Sequence, residues 1–363
     1  MKIWNRVRKK TMKLIVICGM SDDKVRASLL PLVSLEQVEE ILLIRRSPLT
    51  MEKVKSYSPP AVMRWSLILA EIYRFFALFI LSIKEQPTSI YAIYFVPHGI
   101  YTALVGRFLQ IPVIHELIGT DRPKITKRKC FQKLLSQGKR IGVRGTVSRD
   151  QLVSLGIPKE KIFISNAVNI LDFELFAPGS GEKKFDLIYC GYMDYNKRVD
   201  IIIDAYIELQ KSYPELTILL VGDGPERQKL ESRIAQAGLQ NQVVFVGKQP
   251  PEAISGFLNQ ARIFVMASMF EGLPVAMIEA LSCGLPVVMP DVGDIKDIAI
   301  HDFNGLLFEQ NHSDGMYDAL SRLVGCDDLY QELRDGALKT RERFVEDFTI
   351  AGVQRTWNEI LNH

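Results

Sequence analysis

Residues 263–289 read IFVMASMFEGLPVAMIEALSCGLPVVM, and this stretch decides the fold class. The apolar run Ile263–Ala267 has the length of a buried strand and stops at a loop. Pro274 suits the first helical position, where its missing N–H has no partner to lose, and the apolar spacing from there to Cys283 is helical. Pro286–Met289 is a second short apolar run. Strand, helix and strand in succession make a parallel pair with a helical crossover.

Outward from this unit the same alternation fills the chain. Before residue 177 the predicted strands are Leu14–Cys18, Glu40–Ile44, Ile90–Val96, Pro112–Leu117, Gly142–Val147 and Lys161–Ser165. Helical patterns lie near 24–35, 61–84, 99–109 and 149–155. Phe176–Gly181 is turn-rich and suits a linker, after which the alternation restarts near Lys184. The later strands are predicted at Asp186–Gly191, Leu216–Gly222, Val243–Gly247, Ile263–Ala267, Pro286–Met289 and Gly305–Phe308. Their helices fall near 199–212, 225–237, 274–283, 313–325 and 350–361. A chain of 363 residues exceeds what one core organises, so two α/β domains are expected, with ligands at the carboxyl ends of parallel strands.

Composition narrows the function classes. With 47% hydrophobic and 24% charged residues the chain is neither disordered nor collagenous. Five cysteines, odd in number and dispersed in apolar runs, argue against a disulfide framework or a zinc site and for a reducing cytosol. The longest apolar stretch, Ala61–Ile83, is interrupted by Arg64, Glu71 and Arg74, which leaves too little for a membrane span. The basic Arg6–Lys13 stretch precedes an apolar segment too short for a signal peptide, so a buried first strand behind a basic leader is expected.

Charge divides the chain. Residues 1–170 carry 28 Lys and Arg against 12 Asp and Glu, a net +16, whereas the remainder carries 17 against 30, a net −13. Residues 122–149 hold ten basic residues and no acidic one, with Ile125, Phe131, Leu134 and Leu135 interleaved. A solvated face, a nucleic-acid patch and an amphipathic surface for anionic lipid all have such a pattern. No nucleic-acid recognition motif accompanies the charge. The roughly 1 kcal/mol that each basic residue contributes near anionic headgroups, the aromatic-rich Trp65–Phe79 helix and the slightly positive mean hydropathy favour an anionic membrane surface as the partner.

The loop before Pro274 carries the chemistry. Gly272 lets the backbone approach a ligand, and the amides of Gly272, Leu273 and Val275 cluster at a helix N-terminus, where a phosphate or sugar hydroxyl binds without a metal. Glu271 precedes the helix and Glu279 lies further along it, two carboxylates at different heights along one ligand. Gly222-Asp223-Gly224-Pro225 before a helix is weaker and reads mainly as architecture.

The string Ser268–Val288 resembles the Glu-x7-Glu segment of retaining glycosyltransferases of family 4, which have the GT-B fold. The resemblance extends through Tyr189-Cys190-Gly191 before Lys197, Leu220–Glu226 and Val244–Gly247, and more loosely through Ile111–Ile114, Gly119-Thr120-Asp121, Thr146–Ser148 and Ile164–Asn169. It implies two Rossmann-like parallel-sheet domains facing a central cleft: 1–177 for acceptor and membrane, 178–345 for a nucleotide sugar, and 346–363 as a helix crossing back. It implies that Glu279 holds the ribose hydroxyls, that Lys197 neutralises the diphosphate, and that Glu271 with the Gly272-Leu273-Pro274 backbone contacts the transferred sugar. Lys248 would lie near the base, and Gly19 would let the diphosphate approach from the first domain. The implied reaction is transfer of a sugar from a UDP- or GDP-sugar to a lipid-linked or polysaccharide acceptor at the inner membrane face. It needs neither a metal nor a cofactor.

Two positions depart from the family pattern. Tyr192 follows Gly191 where an arginine is usual, with Arg198 as the compensating cation, and Ile118 stands where many relatives have a histidine. His115 is the candidate catalytic replacement for that histidine, and His98, Glu116 and Asp121 are further acceptor-side candidates. The same departures are what a non-catalytic nucleotide-sugar-binding relative would show.

Overall fold

The computed structural model describes residues 11–118, 121, 125–167, 169–310 and 313–362. These form two compact units, one of residues up to Ile170 together with Ile350 onward, the other of Leu171–Thr349. Each unit is a parallel sheet flanked by helices, the architecture that the alternating pattern predicts.

The first unit has seven strands: β1 (Met12–Ile17), β2 (Val38–Ile44), β3 (Val54–Tyr57), β4 (Ser89–Ile93), β5 (Val113–Glu116), β6 (Arg140–Val143) and β7 (Ile162–Ile164). Their order is β3-β2-β1-β4-β5-β6-β7. β1 pairs Leu14 with Ile41 and with Ser89, so it is covered on both edges as well as both faces. That position requires an unbroken apolar run, and Leu14 to Cys18 supplies it. One face packs with Leu29, Leu32 and the Ile350–Asn362 helix, whose Trp357 meets Tyr91 edge-on at 4.8 Å. Leu78, Leu81 and Val105 cover the other.

The second unit has six strands: β8 (Phe185–Cys190), β9 (Ile218–Val221), β10 (Val243–Gly247), β11 (Ala261–Val265), β12 (Val287–Pro290) and β13 (Gly305–Phe308). Their order is β10-β9-β8-β11-β12-β13. Leu171, Phe173 and Phe176, upstream of the turn-rich stretch, pack into this unit's core.

Several local readings change. The edge strand β3 was not predicted, because Val-Lys-Ser-Tyr is short and half polar. The expected strand Ile90–Val96 ends at Ile93, where the chain turns through Tyr94 (φ 70°), and Gly142–Val147 ends at Val143, with a helix already running over Thr146–Ser154. The apolar stretch from Ala61 splits, because Ser66 caps a new helix, Leu67–Glu85, by accepting from the Leu69 amide at 3.4 Å. Helices at Lys129–Leu135, Pro251–Asn259 and Asp327–Asp347 were not read from the pattern.

The last of these carries a glycine in its middle. A Cβ on Gly336 would stand 1.7 Å from the Phe303 carbonyl oxygen, so this helix touches the backbone of the Asp302–Asn304 turn. Gly336→Ala sets a helix-propensity gain of about 1 kcal/mol against overpacking that costs about 1–3 kcal/mol or more. The clash is with backbone, which cannot rotate away, so the expected net result is destabilisation, measured as a lower urea midpoint at unchanged slope.

Candidate active site

In the second unit the strand order reverses between β8 and β11. Crossovers on either side of such a point run to opposite faces, and the loops at the carboxyl edge part to leave a crevice. The loop after β8 and the loop after β11 are joined there by Asn196. Its carbonyl accepts from the Met269 amide at 2.7 Å, its side-chain oxygen accepts from the Phe270 amide at 3.2 Å, and its amide donates to the Phe270 carbonyl at 3.1 Å. The next residue, Lys197, donates from Nζ to Oε1 of Glu271 at 2.5 Å. Its backbone N–H donates to Asp194 at 3.0 Å. Gly293, after β12, supports Glu271 from below. Its φ is 60° and a Cβ would lie 2.0 Å from the Glu271 carbonyl oxygen, so the approach needs glycine.

The Val275–Ser282 helix starts directly after the Gly272-Leu273-Pro274 turn. Glu279, on this helix, has no hydrogen-bond partner for its carboxylate among the described residues, and burial pushes its pKa up to about 7. Its charge adds to the burial that raises the pKa of Cys190, at the end of β8, and of Cys283. Lys248 is exposed just past the end of β10. Arg198 adopts a left-handed backbone (φ 47°), and its guanidinium grips Asp200 through Nε at 3.0 and 3.2 Å and Nη2 at 3.0 Å. Tyr192 is exposed.

The first unit has its own reversal, between β1 and β4. Gly19 follows β1 and His98 lies beyond β4, and a Cβ on Gly19 would come within 3.1 Å of the His98 ring. Arg74 donates to His98 Nε2 at 3.0 Å, which leaves the proton on Nδ1, donated to the Ile93 carbonyl at 3.2 Å. Burial, and then the Arg74 charge, lower the His98 pKa to about 4, so the ring is neutral.

The other acceptor-side candidates lie inside the fold. His115 is wholly buried in β5, edge-on to Phe95 at 5.4 Å, with both ring nitrogens unpartnered among the described residues and its pKa driven down to about 3 by burial. The ring is packed in the core of the first unit. Glu116 is buried beside Arg144 at 3.1 Å and accepts from Tyr91 at 3.3 Å. Asp121 is buried and accepts from the amides of Phe95, Val96 and Ile118 at 2.8, 3.3 and 3.3 Å, tying two loops together. Gly119, Thr120, Arg122 and Lys124 lie outside the described residues. In the basic segment Ile125 and Leu135 are buried, while Lys127, Arg128, Lys129 and Lys133 are exposed. Its interleaved apolar residues therefore serve the core, and the outward face is cationic.

Asn196 was missed by sequence reasoning. Its signal, a polar residue directly before Lys197, acquires meaning only once the two loops are adjacent.

Two parallel-sheet α/β units of this kind make up the architecture of GT-B glycosyltransferases. The family model described as "Glycosyl transferases group 1" matches residues 172–340, nearly the whole second unit. The chain is 25% identical over 281 residues to an uncharacterized glycosyltransferase of Methanocaldococcus jannaschii, covering 76% of this chain and 77% of that one. It is 28% identical over 216 residues to one component of the phosphatidylinositol N-acetylglucosaminyltransferase of Arabidopsis thaliana, covering 58% and 47%. Among solved structures, HepE of Anabaena in complex with UDP superposes with a TM-score of 0.77 at 17% identity, covering 97% of this chain and all of that one.

Glu279 makes stability depend on pH. Its folded pKa is raised above the ordinary carboxylate value, so the folded chain holds a proton that the unfolded chain has released between about pH 4.5 and 7. This carboxyl's contribution therefore declines as pH rises through that window and is constant above it. Glu279→Gln removes the decline and stabilises the ligand-free protein at pH 8 by roughly 2–3 kcal/mol, which urea titrations at pH 5 and 8 would measure.

Proposed function

We propose that this protein is a retaining, metal-independent hexosyltransferase that moves a sugar from a UDP- or GDP-sugar to a lipid-linked or polysaccharide acceptor at the cytoplasmic face of the membrane. The observation that carries the reading is the convergence of Lys197, Glu271, the Gly272-Leu273-Pro274 turn and the unpartnered Glu279 carboxylate at the β8/β11 reversal. In this reading ionised Glu279 accepts both ribose hydroxyls, a role suited to a carboxylate that has no partner among the described residues. Lys197 and the N-terminal amides of the Val275–Ser282 helix stabilise the diphosphate as negative charge develops on it. Glu271, held by Lys197 and by the Asn196 clamp, meets the sugar. The acceptor hydroxyl attacks the anomeric carbon on the face from which the diphosphate leaves. Its proton passes to the departing oxygen, and the configuration is retained. In the first unit Gly19, with neutral His98 beneath it, offers backbone to the same ligand class.

The plant relative's name specifies a phosphatidylinositol acceptor, which supports a lipid-linked acceptor here. No helix among the described residues is long and apolar enough to cross a membrane.

One observation favours a second reading, a nucleotide-sugar-binding relative without turnover. Tyr192 occupies the usual arginine position, and the guanidinium of Arg198 is already engaged by Asp200.

Incubation with UDP- and GDP-sugars and membrane extract, following nucleotide diphosphate and labelled lipid, separates the two. Transfer is expected, reduced roughly 10- to 100-fold by Glu279→Ala and 100- to 1,000-fold by Lys197→Ala. Donor binding without diphosphate release, beside a competent control enzyme, establishes the second reading instead. Nucleotide affinity is expected to rise with pH up to about 7, as Glu279 ionises, and to become flat in Glu279→Gln, which calorimetry would show.

A further inference from the structure

The Leu67–Glu85 helix is apolar on both sides. Its inner face, through Ala70, Leu78 and Leu81, packs on the first unit's sheet. A surface helix with that core stripe should turn charge to water on its other side. Instead Leu67, Ile68, Ile72, Phe76, Ile80 and Ile83 are all exposed. Trp65, in the turn before it, is 92% exposed. Phe108 of the neighbouring Ile100–Leu109 helix is 73% exposed and continues the patch, its ring 6.0 Å from that of Phe79. Contiguous apolar surface of this kind marks an interaction site.

The surrounding charge identifies the partner. Between residues 53 and 149, eight Lys and Arg side chains are exposed among the described residues and no Asp or Glu is, the nearest exposed acids in sequence being Glu52 and Asp150 at the two ends of this stretch. Glu71 is paired with Arg74, and Glu85 with Lys13 at 2.8 Å. Lys84 and Arg107 adjoin Ile83 and Phe108 in sequence and are exposed, and the Lys129–Leu135 helix, with Lys129 and Lys133 exposed, packs against the Ile100–Leu109 helix.

We propose that the outer face of the Leu67–Glu85 helix, together with Phe108 and Trp65, inserts shallowly into an anionic lipid bilayer, with the cations of the adjoining helices on the headgroups. The apolar contact comes from this helix, and the 122–149 segment supplies charge alone. The division of labour is that of an interfacial helix lying in the membrane plane. This deepens the membrane-surface part of the function proposed above. Vesicle binding is read without donor or acceptor, so it stands or fails separately from sugar transfer.

The test is co-sedimentation of the full chain with phosphatidylcholine vesicles, with and without roughly a third phosphatidylglycerol. Trp65 fluorescence is followed in a Trp4→Phe background, since the remaining tryptophan, Trp357, is buried. Binding to the anionic vesicles, weakened by salt and accompanied by a blue shift of Trp65, is expected. Phe76→Glu with Phe108→Glu should lower affinity more than tenfold at unchanged melting temperature, and Lys129→Glu with Lys133→Glu should flatten the salt dependence. The proposal is overturned if the intact chain ignores anionic vesicles, or if the Phe76/Phe108 variant binds them as well as the parent. It is equally overturned if ultracentrifugation shows a dimer that the phenylalanine substitutions dissolve while vesicle binding persists.

Discussion

Parallel strand pairing is the constraint from which the site follows. A parallel pair cannot close with a tight hairpin, so each strand needs a crossover, and all carboxyl ends emerge at one edge of the sheet. Where the strand order reverses, at β1/β4 in one unit and β8/β11 in the other, neighbouring loops diverge and the edge opens. Polar side chains gather there because the strands themselves cannot hold them. β8 and β11 are sealed on both faces, and their buried runs admit only residues such as Leu187, Ile188, Phe264 and Val265.

The two carboxylates at this edge are held differently. Lys197 is matched by Glu271, whereas no described residue donates to the Glu279 carboxylate, and burial raises its pKa to about 7. In the first unit both His115 ring nitrogens have no partner among the described residues, while several other buried polar groups are in mutual contact: Arg74 with His98, Glu116 with Arg144 and Tyr91, Asp121 with three amides. Those groups fix loop shape, and they leave the ligand backbone to meet.

Legibility in the sequence tracked how local the cause was. Each buried strand was readable from its own apolar run, whereas β3 was not, since an edge strand needs no such run and Lys55 and Ser56 look like loop. The Asp327–Asp347 helix was hidden because Gly336 looks like a break, and its reason, the Phe303 carbonyl, is far away in sequence. Glu271, the turn and Glu279 were legible as one continuous string. Asn196 was not, because its three hydrogen bonds exist only when two loops meet. His115 shows the same limit: a histidine near a strand end has the same sequence signature whether its strand is central or at the rim. The apolar residues among the 122–149 cations show it too, since spacing tells that a helix has an apolar side and not what that side faces.

The Leu67–Glu85 helix joins surface to site. On its outer rows stand Ile72, Phe76 and Ile80, and on its inner face Arg74 reaches His98, which underlies Gly19 at the β1/β4 reversal. The guanidinium is buried, and burial lowers its pKa, so its position costs solvation that the His98 and Glu71 contacts offset. Such a group tolerates little displacement, because a shift of the helix would strand it. The consequence is mechanical: a displacement of this helix would have to carry Arg74 and His98 with it, so the exposed apolar rows and the Gly19 loop are coupled through one buried guanidinium. One helix therefore carries both the exposed apolar face of the first unit and the arginine that holds His98 beneath the Gly19 loop.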